Sequence, residues 1–350
     1  MKEIFAKRLK NARIMKGLSM EKLAEKAGVS KQMISKYEKA LSVPDSSVLI
    51  RLARNLNQKA DYFFTPFKIE LGPIEFRKKS TLGKKKQESI KEKIQLMMEH
   101  YLELEDLLAI NSEFQNPLAQ TGIKNQDEVE EAAEILREQW NLGQDPIYSI
   151  ISLLEEHEIK VIEINELLSD FDGLSAFVGD KYPVIVVNQN MPVERKRFTL
   201  LHELAHLLLN IPEEHSGQDR EKLCHRFAGA VLLPREVVID QFGKNRYHVT
   251  LNELFSVQRH FGISVTAIIY RLYYNGVIGQ EMQRRFFIQN NKNEHLKELV
   301  NQERYQGDES TDRYEKLVYR ALAQEQISVS KAAALLDCSV EHIQDNFAVI

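Results

Sequence analysis

The stretch Arg195-Lys196-Arg197-Phe198-Thr199-Leu200-Leu201-His202-Glu203-Leu204-Ala205-His206-Leu207-Leu208-Leu209 orders the rest of the chain around it. It reads as an apolar helix carrying His-Glu-x-x-His. Residues four apart in a helix lie one above the other, so His202 and His206 can present two imidazoles to one point. Two neutral imidazoles make half of the tetrahedral shell that a divalent zinc accepts. Glu203, one position after the first histidine, lies on the same side and can take a proton from a water such a metal activates. Phe198, Leu201, Ala205, Leu208 and Leu209 would pack this helix into a core and give the site a dry, fixed platform.

The plainer reading is two half-buried histidines on an amphipathic helix. A second acidic helix downstream, Asp219-Arg220-Glu221-Lys222-Leu223-Cys224-His225-Arg226-Phe227-Ala228, weighs against it. A catalytic zinc takes three protein ligands and keeps one position open for water. Glu221 is placed to supply the third.

From Phe198 to His206, followed by Glu221, Phe227-Ala228 and Leu232-Leu233-Pro234, the sequence resembles the ImmA/IrrE family of metallopeptidases. Its members pair a His-Glu-x-x-His helix with a glutamate shortly before a Phe-Ala…Leu-Leu-x-Pro segment. This chain has Ala205 where many members carry glycine, and Cys224-His225 where Ala-Asn is common. Glu221 matches the family's ligand position; His225, four residues further along the same face, is the alternative donor. The resemblance implies a zincin-like domain holding one divalent metal, zinc first, with manganese and iron also open. It further implies cleavage of a specific repressor-like protein that relieves transcriptional repression in a mobile element or stress response.

The 350 residues are enough for two or three domains. A composition 43% hydrophobic and 28% charged is that of a soluble globular protein. No window approaches the ~20 apolar residues of a membrane span, so no membrane partner is expected. The first residues run directly into a charged helix without a secretory pattern. Cys224 and Cys338 form no Cys-x-x-Cys and suit a reducing cytoplasm. The net charge of −4 hides an asymmetry: residues 1–100 hold 23 Lys/Arg against 11 Asp/Glu, and the remainder 24 against 40. A basic front on an acidic body directs a polyanion to the front.

Residues 4–64 say which polyanion. Phe5, Leu9, Ala12 and Arg13 stripe a first helix that ends at Gly17. Ser19 caps a second with Leu23, Ala24 and Ala27 inward; Gly28 turns the chain, and Ser30 caps a third, Lys31 to Glu38. Pro44 and Ser46 open a fourth, closed on the bundle by Val48, Leu49, Leu52 and Ala53. Two short helices across a glycine turn form a helix-turn-helix, whose second helix enters the major groove of DNA. Leu23-Ala24-x-x-Ala27-Gly28-Val29-Ser30, Ile34-Ser35-x-Tyr37-Glu38 and Pro44 resemble the XRE class, the Cro/phage-repressor-like domain. That resemblance implies base contacts by Lys31, Gln32 and Lys36, with Ser35 near the backbone of a double-stranded operator. One such helix reads only a few base pairs, so a homodimer on an inverted repeat is expected.

Basic clusters at Phe76-Arg77-Lys78-Lys79 and Lys84-Lys85-Lys86 precede an amphipathic helix from Leu96 to Leu108. A helix from Glu128 to Trp140 follows, then a strand at Lys160 to Ile164. Leu174–Val178 and Val184–Val187 read as a hairpin turning at Gly179-Asp180-Lys181. Helices continue through Leu251–Val257 and Val265–Tyr274, and the tail around Ile327 to Leu336 has a helix-turn-helix flavour without a basic surplus. The expected fold is mostly α with a small sheet (α+β), an all-α helix-turn-helix bundle joined to a zincin-like metallopeptidase domain. The expected domains are 1–66 for DNA, 67–130 as a basic helical connector, 131–285 for the peptidase and 286–350 as a helical end. A second class of function stays open: a non-proteolytic transcription factor whose peptidase-like body binds metal or ligand and tunes DNA binding.

Overall fold

Serine and aspartate caps divide the front of the chain into short helices. The structure, a computed structural model, describes residues 1–67, 83–111, 113–165, 171–212 and 214–347. Helices α1 (Lys2–Met15), α2 (Met20–Ala27), α3 (Lys31–Glu38) and α4 (Ser46–Leu56) follow in order. The side chains of Ser19, Ser30 and Asp45 accept hydrogen bonds from the backbone N–H of Lys22, Met33 and Val48. Asp45 caps α4, which begins at the expected Ser46. Gly28 ends α2 at φ 67, a left-handed conformation that a Cβ disfavours. Phe5, Leu9, Leu23, Ile34, Leu52 and, from a 3-10 turn at Ala60–Phe64, Phe63 form the fully buried core of this bundle.

Helix α5 (Lys84–Leu107) begins well before the expected Leu96. Ile90, Ile94 and Met98 are buried at four-residue spacing, so its apolar stripe continues upstream and takes Lys84-Lys85-Lys86 as an exposed first turn. The other basic cluster, Phe76 to Lys79, lies outside the described residues. Arg8 of α1 is buried and donates to Glu99 of α5 at 2.7 Å and to the carbonyls of Thr65 and Pro66 at 3.0 Å. That pair fastens the bundle to α5.

The chain then gives α6 (Gln126–Gln139), α7 (Ile150–Glu156), β1 (Lys160–Ile164), β2 (Gly173–Val178), β3 (Tyr182–Asn188), α8 (Val193–Leu208) and α9 (Gly217–Leu232). After these come α10 (Arg235–Phe242), α11 (Leu251–Phe261), α12 (Val265–Tyr274), α13 (Gln280–Lys292) and α14 (Glu294–Asn301). Strand order is β1-β3-β2, with β1 parallel to β3 in a register running from Lys160 opposite Val184 to Ile164 opposite Asn188. Gly179 and Asp180, in the three-residue turn between β2 and β3, both have positive φ, 58 and 54. The central strand β3 is covered on both faces, which is why Val184-Ile185-Val186-Val187 reads as an unbroken apolar run. Helix α8 packs on β3, α9 on α8 and α6 on α9. Buried Glu130 of α6 takes Arg226 of α9 at 2.8 Å and Arg271 of α12 at 2.6 Å, tying three helices at one carboxylate.

Three further helices, α15 (Arg313–Ala323), α16 (Val329–Leu335) and α17 (Val340–Asn346), are opened in the last two cases by caps at Ser328 and Ser339. Leu317, Val318 and Ala321 pack with Tyr101, Leu104 and Leu108 at the end of the α5 region. The chain thus divides into one unit of residues 1–112, 177–180 and 313–350 and another of 113–176 and 181–312.

Removing Glu99 leaves the Arg8 guanidinium buried without its counter-ion. Glu99→Ala is expected to destabilise the first unit by about 3–5 kcal/mol. Denaturant unfolding of the full chain, followed by a probe in that unit, checks this; a loss under about 1 kcal/mol would mean that Arg8 reaches water instead.

Candidate metal centre

The first turns of α8 are anchored by charge rather than by apolar contact. Arg197 is 0% exposed, donates to the carbonyls of Ile147 at 2.6 Å and Gly262 at 3.1 Å, and pairs with Glu309. The Glu309 carboxylate also receives the N–H groups of Ile150 (2.9 Å) and Ile151 (3.0 Å), capping α7. Beside it, Lys196 donates to Glu163 at 2.8 Å. Leu200, Leu201, Leu204 and Ala205 then seat the second half of α8 in the core. With rotation and height of the helix fixed in this way, His202 and His206 project on one side toward α9.

Helix α9 starts at a Ser216 cap and sends Glu221 to meet them. The two Nε2 atoms lie 3.1 Å apart. One Glu221 oxygen is 3.4 Å from His202 Nε2 and the other is 3.4 Å from His206 Nε2. Donors at zinc-bond length around a tetrahedral centre are separated by about 3.3 Å. These three side chains therefore have the chemistry and the spacing to hold a divalent ion. His225, one turn beyond Glu221, also belongs to the cluster: ligand atoms of His202, Glu221 and His225 all lie within 4.8 Å of one another. The structure thus brings together all four donors that the sequence singled out, including the two rivals for third place.

His206 is further held from behind. Its Nδ1 is 3.7 Å from Cys224 Sγ, a contact that directs Nε2 toward Glu221. Burial lowers the basicity of His206, but the hydrogen bonds to Cys224 and Glu221 and the nearby Glu203 charge outweigh it and push its pKa up to about 10.

Two families match parts of this chain. The IrrE N-terminal-like domain matches residues 154–273, which span β1, the sheet, α8 and α9. A helix-turn-helix family matches residues 9–63. The chain joins an XRE-type helix-turn-helix domain to an ImmA/IrrE-type metallopeptidase domain. The radiation response metalloprotease IrrE of Deinococcus deserti is 33% identical over 104 residues, 26% of this chain and 36% of that protein. Its counterpart from Deinococcus radiodurans is 29% identical over 104 residues, 26% of this chain and 31% of that one. An uncharacterized HTH-type transcriptional regulator of Rickettsia conorii is 40% identical over 58 residues, 17% of this chain and 46% of its own length. The chain spans about a third of the length of the IrrE relatives and just under half of that regulator.

Within the IrrE-like domain, Glu203 is 2% exposed and accepts a hydrogen bond from the Ser175 hydroxyl at 3.0 Å. Ser175 sits on β2, and the close approach of this strand to α8 depends on Gly173. A Cβ there would stand 2.9 Å from Thr199 Cγ2 and 3.3 Å from Glu203 Cγ. Neither Gly173 nor Ser175 carries a sequence signal of its own, because both act through a neighbour distant in the chain. In the helix-turn-helix domain, Lys31, Gln32 and Lys36 are exposed on α3, while Ser35 is half-buried. Tyr37 is buried behind them, and Glu38 is held by Arg13 at 2.5 and 2.8 Å.

In the metal-free protein His206 is expected to titrate near pH 10, far above the ordinary histidine value. Cys224→Ala removes one supporting hydrogen bond and should lower that pKa. An NMR titration of the imidazole signals in both proteins reads it; the same titration midpoint in each would show that the thiol contributes nothing.

Proposed function

We propose that this chain is a DNA-binding regulator whose IrrE-like domain is a metal-dependent endopeptidase for one specific repressor-like protein. The observation that carries the reading is the buried Glu203 carboxylate adjoining the His202, His206 and Glu221 donors. His202, His206 and Glu221 would hold zinc; manganese or iron would suit the same nitrogen and oxygen donors. Bound there, the ion would supply a Lewis acid that polarises a peptide carbonyl and acidifies water. Glu203 accepts the proton of the attacking water and passes it to the leaving amine as the C–N bond breaks. Ser175 keeps one Glu203 oxygen occupied and so orients the other. An extended substrate backbone pairs with the outer strand β2, the strand that carries Ser175.

The helix-turn-helix domain would deliver this activity to an operator. Lys31, Gln32 and Lys36 reach base edges from α3, with Gln32 suited to adenine and the lysines to guanine or phosphate, and Ser35 lies near the backbone. A homodimer on an inverted repeat would set the half-site spacing. Among the described residues no helix is long and apolar enough to cross a membrane.

Glu203→Gln separates this reading from that of a ligand-tuned transcription factor. It retains size, metal ligands and DNA contacts but removes the base. Cleavage of the partner repressor should fall by about a hundredfold or more, and repression in a reporter strain should persist under inducing conditions. An inducing response equal to wild type would sink the protease reading. Metal analysis of the same variant should still return about one ion per chain, and Glu221→Ala markedly less.

For the front domain, Lys31→Ala and Gln32→Ala should each weaken operator binding by roughly 1–3 kcal/mol. Footprinting with unchanged affinity in both variants would displace the recognition surface from the start of α3.

A further inference from the structure

We propose that His225 is a fourth protein donor to the metal, one that closes and reopens the coordination position that hydrolysis needs. The inference rests on the reading of His202, His206 and Glu221 as the resident ligands. Glu221 and His225 are four residues apart on α9 and so share one helix face. The ring of His225 stands 4.3 Å from that of His202, and its ligand atom lies within 4.8 Å of those of both His202 and Glu221. Donors within one tetrahedral shell sit about 3.3 Å apart. His225 is thus poised near the shell, and rotation about its own side-chain bonds spans the remaining distance.

Its surroundings suit a ligand that comes and goes. His202 is 1% exposed, whereas His225 is exposed and so occupies the solvent side of the cluster, where a water or a peptide carbonyl must enter. Phe198, one turn before His202, stacks against the His225 ring with centroids 5.7 Å apart and planes at 22°, giving the imidazole a resting place beside the site. With His225 engaged, three imidazoles and one carboxylate make the closed four-ligand shell typical of structural zinc. With it stacked on Phe198, three ligands and an open position make a catalytic one. A substrate would then have to displace an imidazole before reacting, so the resting protein is protected from indiscriminate hydrolysis.

Zinc X-ray absorption on the full-length protein counts the imidazoles, and chelator competition measures affinity. Wild type should show three imidazoles per zinc, and His225→Ala two. Affinity in His225→Ala should fall by roughly ten- to hundredfold, at least the loss seen when a group supporting a ligand is removed. His225→Asn should match it, and because the position is exposed both variants should keep the wild-type circular dichroism spectrum. Two imidazoles in wild type, with unchanged affinity in both variants, would overturn the role of His225 and leave the other three ligands standing. A wild-type protein that holds no zinc would overturn both readings together.

Discussion

Everything at the metal cluster depends on how closely α8 and α9 approach. Packed helices keep their axes about 8–10 Å apart, depending on the side chains between them. Across that seam His202 and His206 of one helix meet Glu221 of the other at 3.4 Å. Ala205, Cys224 and Ala228, all small and all fully buried, permit the approach. The polar anchors then determine which residues face each other across it. Arg197 fixes the height of α8 against Ile147, Gly262 and Glu309, while Arg226 fixes α9 against Glu130. These ion pairs are buried, where a missing partner is costly, so they define one register and penalise the alternatives.

Much of this was legible in the sequence, for a definite reason. Helix caps, helical spacing and strand alternation are local, and so Ser19, Ser30, the His202–His206 pair and the strand Lys160–Ile164 could be read directly. The hairpin turn at Gly179-Asp180 was equally local. The start of α5 is hidden in the sequence because lysines flank the apolar stripe of Ile90 and Ile94 without interrupting the helix. Arg197 with Glu309 is 112 positions apart in sequence and Arg8 with Glu99 is 91 apart, and no periodicity reports such a pair. Ser175 and Gly173 fall in the same class, since only the path of β2 past α8 gives them a task.

The charge asymmetry also acquires a physical address. The surplus of Lys and Arg in the first hundred residues sits in the unit that presents Lys31, Gln32 and Lys36, whereas several cations of the second unit, Lys196, Arg197, Arg226 and Arg271 among them, are buried against carboxylates. Cations neutralised inside a core add nothing to the field that a polyanion meets. Because each such pair withdraws a carboxylate along with its cation, the contrast between the basic first hundred residues and the acidic remainder stays close to the one in the residue counts.

Helix α5 has its two partners at opposite ends of the sequence, α1 by way of Arg8 and α15 by way of Leu317, Val318 and Ala321. A ribosome that has just released α5 must add some two hundred residues before the second partner exists, a delay of tens of seconds at ordinary elongation rates. Throughout that interval the apolar side formed by Tyr101, Leu104 and Leu108 has no cover of its own. A chain cut short before α15 would therefore leave that apolar side of α5 open to water.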